Sequence, residues 1–185
     1  MTVPMSLQQH PPHETLFRST SIGGIDVANR IALAPMTRVS ATAAGLPTDR
    51  IGGYYKMFVE GGFGLLITEG LYIDDQTSQG YFFQPGIANS AQAAAWTRVV
   101  DGVHAYGAKF FAQLMHAGSQ SQGNPHTTIT WGPSAVRPKG EQLNMYRGSG
   151  PFQVPQAMTD EHVDHVRAAF VNAAQQARNA GFDGV

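Results

Sequence analysis

The sequence predicts an α/β fold, the N-terminal half of a (β/α)8 barrel, and three observations carry that reading. Short apolar runs at residues 31–35, 65–68 and 109–114 alternate with segments of helical period. Strands alternating with helices imply a parallel sheet under a helical layer. The connection after each run is long, and the first, APMTRVSATAAGLPT, lacks the G-x-G-x-x-G turn of a dinucleotide-binding doubly wound sheet. Long loops at strand C-termini are where a barrel builds its active site. A whole barrel takes about 250 residues. The 185 residues here supply a hairpin, three βα units and the start of a fourth strand, so a half-barrel is expected.

The elements follow in order. Residues 1–15 carry Pro4, Pro11 and Pro12 among polar residues and read as a flexible tail, leaving 16–185 as the folded unit. Leu16 to Thr20 and Ile25 to Val27 flank Gly23-Gly24, a pair that accepts positive φ and suits a hairpin turn. Ile31 to Pro35 reads as the first barrel strand. Thr48 is placed to cap a helix starting at Asp49, whose Ile51, Tyr54, Tyr55 and Phe58 fall on one face before Gly61-Gly62 ends it. Leu65 to Thr68 is continuously apolar, as a strand buried on both faces should be. Ser90 is expected to cap the next helix, with Trp96, Val99, Val100 and Val103 inward. Lys109 to Leu114 forms a third strand, followed by a proline-rich loop. Thr159 opens a last helix, with Val163, Val166, Phe170 and Ala173 or Ala174 on its inner face and Gly181 at its end. Residues 182–185 begin a fourth strand.

Composition removes several function classes. A formal net charge of -1 and no run of Lys or Arg leave no electrostatic footprint for nucleic acid or anionic membrane. No cysteine is present, which excludes disulfides, thiolate catalysis and Cys-ligated zinc. The first residues have neither a basic nor an apolar signal region, and no apolar stretch is long enough to span a membrane. A cytoplasmic protein is expected.

Several motifs then stand in a fixed order. Residues Asn29 to Arg38 read NRIALAPMTR, and ITEG at 67–70, Gly80-Tyr81, and PGI at 85–87 come next. FAQLMHAG at 111–118, WGPS at 131–134 and AGFDGV at 180–185 complete the series. Each sits where a barrel strand ends or begins. Over residues 16–185 this order resembles the Old Yellow Enzyme family, the NADH:flavin oxidoreductases. The resemblance implies noncovalent FMN as cofactor, NAD(P)H as reductant and an activated alkene, an α,β-unsaturated carbonyl compound, as substrate.

Residue by residue, the resemblance implies that Ala34, Pro35, Met36 and Thr37 line the flavin. Thr37, the catalytic candidate, would donate to the flavin carbonyl beside the reactive nitrogen and raise the reduction potential. Its alternative is a hydroxyl bonded to local turn backbone. Gly70 would let backbone approach the flavin, or be an ordinary strand-exit glycine. Gln113 offers a donor and an acceptor to the flavin pyrimidine edge, or is a buried amide serving backbone. Met115 and Tyr81 would line the substrate pocket; a gap-filling methionine and a packed loop tyrosine are the alternatives. Met115 stands where many members have tryptophan, and Ser119 where many have arginine, so the pocket wall and one phosphate- or flavin-side contact are expected to differ.

Other chemistry-bearing residues read as structural. Glu69 has no second carboxylate beside it and reads as a hydrogen-bonding group. His162 and His165 are spaced to chelate a metal but read as a solvated helix face, so no metal is expected. Lys109 opens its strand, the wrong end for a Schiff-base lysine of a barrel lyase. By the resemblance the substrate-carbonyl donor pair follows the fourth strand, and the phosphate site lies in loops after the seventh and eighth strands. The chain alone is therefore expected to be inactive and to self-associate or pair with a complementing half-barrel chain. A non-catalytic fragment or subunit is the other reading.

Overall fold

The computed structural model describes residues 13–185, and most of the tail expected over 1–15 lies outside them. Glu14–Phe17 is a short 3-10 helix, so Leu16 and Phe17 are not strand as expected. The hairpin is narrower: β1 (Thr20–Ile22) pairs antiparallel with β2 (Ile25–Val27) across Gly23 and Gly24, both at positive φ.

Three βα units follow. Strand β3 is only Ala32–Leu33, shorter than expected because Pro35 cannot donate to a ladder. Helix α1 (Asp49–Glu60) leads to β4 (Leu65–Tyr72), helix α2 (Ser90–His104) and β5 (Lys109–Met115). The strands form one parallel sheet in the order β3-β4-β5. Strand β4 runs four residues beyond the expected Thr68, through a register irregularity between Ile67 and Gly70. Residues 182–185 begin a fourth strand on β5: Asp183 N–H donates to the Phe110 carbonyl, and Ala112 N–H to that of Gly184. The Asp183 carboxylate reinforces this edge, accepting from Lys109 Nζ at 2.9 Å, Phe110 N at 2.9 Å and His104 Nε2 at 2.7 Å.

Two caps differ from expectation. Asn89, not Ser90, caps α2, its side chain accepting from Gln92 N–H, and Ser90 becomes the first helical residue. Both residue types cap well, so adjacency alone left the choice open. Thr48 holds the cap position of α1, but its hydroxyl donates to the Ser40 carbonyl at 2.6 Å instead of accepting from the helix.

The core lies between the sheet and its helices. Trp96, Tyr55, Phe110 and Phe182 interlock there, with Tyr55–Phe110 and Phe110–Phe182 centroids 4.8 and 5.0 Å apart. Trp96 also donates its indole N–H to the Gly86 carbonyl at 3.0 Å, so burying it leaves no stranded donor. Helix α3 (Asp160–Ala180) buries Ala169, Ala173, Ala177 and Ala180. The expected face was partly wrong, since Val163 and Phe170 are 44% and 37% exposed. Alanines at this spacing let α3 approach α2 closely, and the larger apolar residues fall outside the contact.

The long loop after β5 holds structure the sequence did not signal. Strands β6 (Trp131–Gly132) and β7 (Gln156–Ala157) pair in parallel beside the start of α3.

Candidate active site

The C-terminal ends of β3, β4 and β5 point the same way, and the loops leaving them form a cleft of about 350 Å³. Thr37 enters it from the loop after β3, Gly80 and Tyr81 from the loop after β4, and Met115 from the end of β5. Tyr146 and Phe152, from the long loop, form the far wall. Tyr81 is buried, at 3% exposure, and stacks on Tyr146 with centroids 4.5 Å apart. Its hydroxyl donates to Thr37 Oγ1 at 3.5 Å. Burial pushes the Tyr81 phenol far up, against the opposing effect of the Thr37 contact, so it stays a donor through the neutral range. With its oxygen facing that donor, Thr37 keeps its own proton free to donate elsewhere.

Beneath the cleft the strand ends interlock. Gly70 and Gln113 are opposite each other on β4 and β5. A side chain at Gly70 would collide with the Met115 sulfur, so the methionine occupies the space that the glycine leaves. The Gln113 N–H donates to Thr68 Oγ1 at 2.9 Å. Its side chain is exposed, where the sequence allowed for a buried amide, and has no hydrogen-bond partner among the described residues. The reason is alternation along β5: Phe110 and Ala112 face the helices, and Gln113 faces the open side of the sheet.

Thr37, Tyr81 and Met115 thus come together in one cleft. Ala34, Pro35, Met36, Gly70 and Gln113 sit on the same strand ends without lining it.

Two buried polar residues support the cleft: Gln84, which the sequence did not signal, and Glu69, which it suggested only as a structural hydrogen-bonding group. Gln84 donates through Nε2 to the Gly70 carbonyl at 2.8 Å and accepts at Oε1 from Gly80 N–H at 2.7 Å, tying strand end to loop. Glu69, set aside as structural, is fully buried, and its Oε2 accepts from Arg38 N–H at 2.9 Å. Burial raises its carboxyl to about 7 against the backbone and charge of Arg38. A lone polar letter in an apolar run carries no signal of its partner, which is distant in sequence.

The histidines need one correction. His162 and His165 are half-buried rather than freely solvated: His162 stacks on Trp131 at 4.3 Å, and His165 meets the same ring edge-on at 5.8 Å. His162 also accepts from Thr159 N–H, completing a capping box at the start of α3. Among the described residues no group of three or more His, Asp or Glu side chains could hold a metal ion. Ser119 lies in a hollow of about 320 Å³ with His116 and Trp131, close to this cluster.

Set against known proteins, residues 15–185 match the NADH:flavin oxidoreductase / NADH oxidase family. The chain belongs to that family. It is 32% identical over 182 residues to 12-oxophytodienoate reductase 7 of Oryza sativa subsp. japonica, covering 96% of this chain and 45% of that protein. It is 34% identical over 177 residues to the chanoclavine-I aldehyde reductase fgaOx3 of Penicillium roqueforti, covering 92% of this chain and 44% of that one. Among solved structures, the Old Yellow Enzyme homologue from Zymomonas mobilis superposes with a TM-score of 0.83 at 33% identity, over 92% of this chain and 47% of that one. As an NADH:flavin oxidoreductase family member, the chain spans about half the length of the relatives it matches. Its fold is the N-terminal half of their barrel. No helix among the described residues is long and apolar enough to cross a membrane.

Proposed function

We propose that this chain supplies the flavin-facing part of an FMN-dependent oxidoreductase that uses NAD(P)H to reduce activated alkenes in the cytoplasm. One observation carries the reading: Thr37 and Tyr81, from the loops after β3 and β4, and Met115, at the end of β5, meet in one cleft at the strand C-termini. The donor set fits a flavin ring. Thr37 has a proton to give, Gln113 presents an unpartnered carboxamide on the open side of the sheet, and Gly70 offers backbone without a side chain. When bound, FMN supplies the hydride relay from NAD(P)H to the β-carbon of an α,β-unsaturated carbonyl compound.

The chain's own residues would do the rest. Thr37 donates toward the flavin carbonyl next to the reactive nitrogen and stabilises negative charge there. Gln113 matches the pyrimidine edge with one donor and one acceptor. Tyr81, stacked on Tyr146, and Met115 wall the substrate side and exclude water. Met115 in the place of tryptophan gives that wall a different shape.

Two sheet edges bear on partners. Among the described residues β3 pairs only with β4, and residues 182–185 pair only with β5. Unpaired edges invite another strand, from a second copy of this chain or from a complementing half-barrel chain.

The test is Thr37→Ala in protein reconstituted with FMN. Losing one hydrogen bond to a charged group, about 1.5–3 kcal/mol, lowers a two-electron potential by about 30–60 mV and slows reduction by NAD(P)H. An unchanged potential removes Thr37 from this role.

A further inference from the structure

Thr37 has no strand ladder to fix it. Strand β3 ends at Leu33, four residues earlier, and the segment between crosses the exposed Ala34 and Met36. Something after Thr37 must hold the turn, and among the described residues the buried side-chain acceptor hydrogen-bonded to the next residue, Arg38, is Glu69. Its Oε2 accepts from Arg38 N–H at 2.9 Å, and its carboxylate is also within reach of Val39 N–H. Val39 is at φ 51, a left-handed conformation that a β-branched residue adopts only when its surroundings impose it. Glu69 is itself pinned, because its N–H donates to the Tyr55 hydroxyl of α1 at 2.9 Å.

We propose that Glu69 is the positioning residue of this site: its buried carboxylate anchors the Arg38–Val39 backbone and so holds the Thr37 hydroxyl against Tyr81 at the cleft. The inference deepens the reading of Thr37 as a site residue and rests on it.

The geometry makes the anchor sensitive to pH. Glu69 Oε1 is buried with no hydrogen-bond partner, so the ionised form carries one unsatisfied oxygen and the neutral acid gains ground. Around the carboxyl stand Arg38 from the loop after β3, Tyr55 from α1, and Tyr81 from the loop after β4. The Arg38 guanidinium lies 4.3 Å over the Tyr54 ring, turned partly to that ring. Both Tyr55 and Tyr81 sense the charge of Glu69, and each has its phenol raised chiefly by burial. Burial also lifts the Glu69 carboxyl to about 7, so the anchor passes from a neutral to a charge-assisted acceptor across the neutral range. Below that range the Arg38 amide faces an uncharged acid; above it, a carboxylate.

The experiment follows backbone amides by NMR in the chain, without any flavin. Between pH 5 and 9 the Arg38 and Val39 amide protons are expected to move downfield together. The Glu69 side-chain carboxyl carbon should share their midpoint, which lies well above the ordinary carboxylate range, and the Thr37 methyl should co-titrate. In Glu69→Gln, which keeps an acceptor but cannot ionise, the titration is lost while the Thr37–Tyr81 proximity survives. In Glu69→Ala that proximity is lost as well. Flat Arg38 and Val39 resonances in the unmutated chain, or a titration that persists in Glu69→Gln, overturn the proposal. So does an unmoved Thr37 in Glu69→Ala. If neither variant folds, the shared midpoint of Glu69 and the two amides still decides. Because no cofactor enters the measurement, failure of the anchor and failure of the flavin reading are separate results.

Discussion

The hydroxyl of Tyr81 lies 3.5 Å from the hydroxyl oxygen of Thr37, joining two loops that are 44 residues apart in sequence. A contact of that length is a weak bond, so Tyr81→Phe should cost less than about 1 kcal/mol of stability. Tyr81→Ala also removes a buried ring and its stack on Tyr146, and should cost about 3–5 kcal/mol. Denaturant titration of the two variants checks the difference. Equal losses would mean the hydroxyl, not the ring, carries the site.

The Gly70–Met115 pair makes a second prediction. Since a side chain at Gly70 meets the Met115 sulfur, Gly70→Ala should destabilise by about 1–3 kcal/mol. Truncation in Met115→Ala opens the same space, so the double variant should recover part of that loss. A double-mutant cycle read by thermal melting settles it; strict additivity of the two costs would show that the residues do not compete.

These pairs also mark how far the sequence could be read. The barrel units were legible because β4 and β5 are apolar enough to be buried on the helix side, and Gly61, Gly62 and Gly107 punctuate them. The cleft was legible in part. Thr37, Tyr81 and Met115 lie at or beyond strand ends, within motifs whose order resembles the family, and that resemblance singled them out. The face of α3 was misread because its contact is a stripe of alanines, whose low hydrophobicity hides a close helix approach. The β6–β7 pair was invisible, since two-residue strands show no period. Gln84 and Glu69 could not be placed because their roles depend on hydrogen bonds to Gly70, Gly80 and Arg38, contacts that only the fold creates.

Gln113 separates folding from binding. Its side chain is exposed and unpartnered among the described residues, so Gln113→Leu should change stability by less than about 0.5 kcal/mol. FMN binding, in contrast, should weaken by about 1–3 kcal/mol through the lost polar partner. Flavin fluorescence titration beside a melting curve measures both. Unchanged affinity would make Gln113 a bystander.

The Asp183 cluster predicts the acid limb of stability. Burial alone would raise this carboxyl, but the bonds from Lys109, Phe110 N–H and His104 outweigh it and hold it below the ordinary range. A depressed carboxylate stabilises above its unfolded value and loses that contribution as pH falls through its folded value. Asp183→Asn should therefore cost about 1–3 kcal/mol at pH 7, by removing hydrogen bonds to charged groups, and progressively less as pH falls below the ordinary aspartate range. Urea unfolding across an acid pH series checks this, and a penalty independent of pH would rule out the charge as its source.

If FMN is held at the C-terminal ends of β3, β4 and β5, chemical-shift mapping will register it, because it reports even weak binding by the chain alone. Adding FMN to isotopically labelled protein should move the amides of Thr37, Gly70, Gln113 and Met115 together along one saturation curve, with the outer faces of α1, α2 and α3 unmoved. Shifts scattered over the helices, or no shift at these four residues with FMN at millimolar concentration, would contradict it.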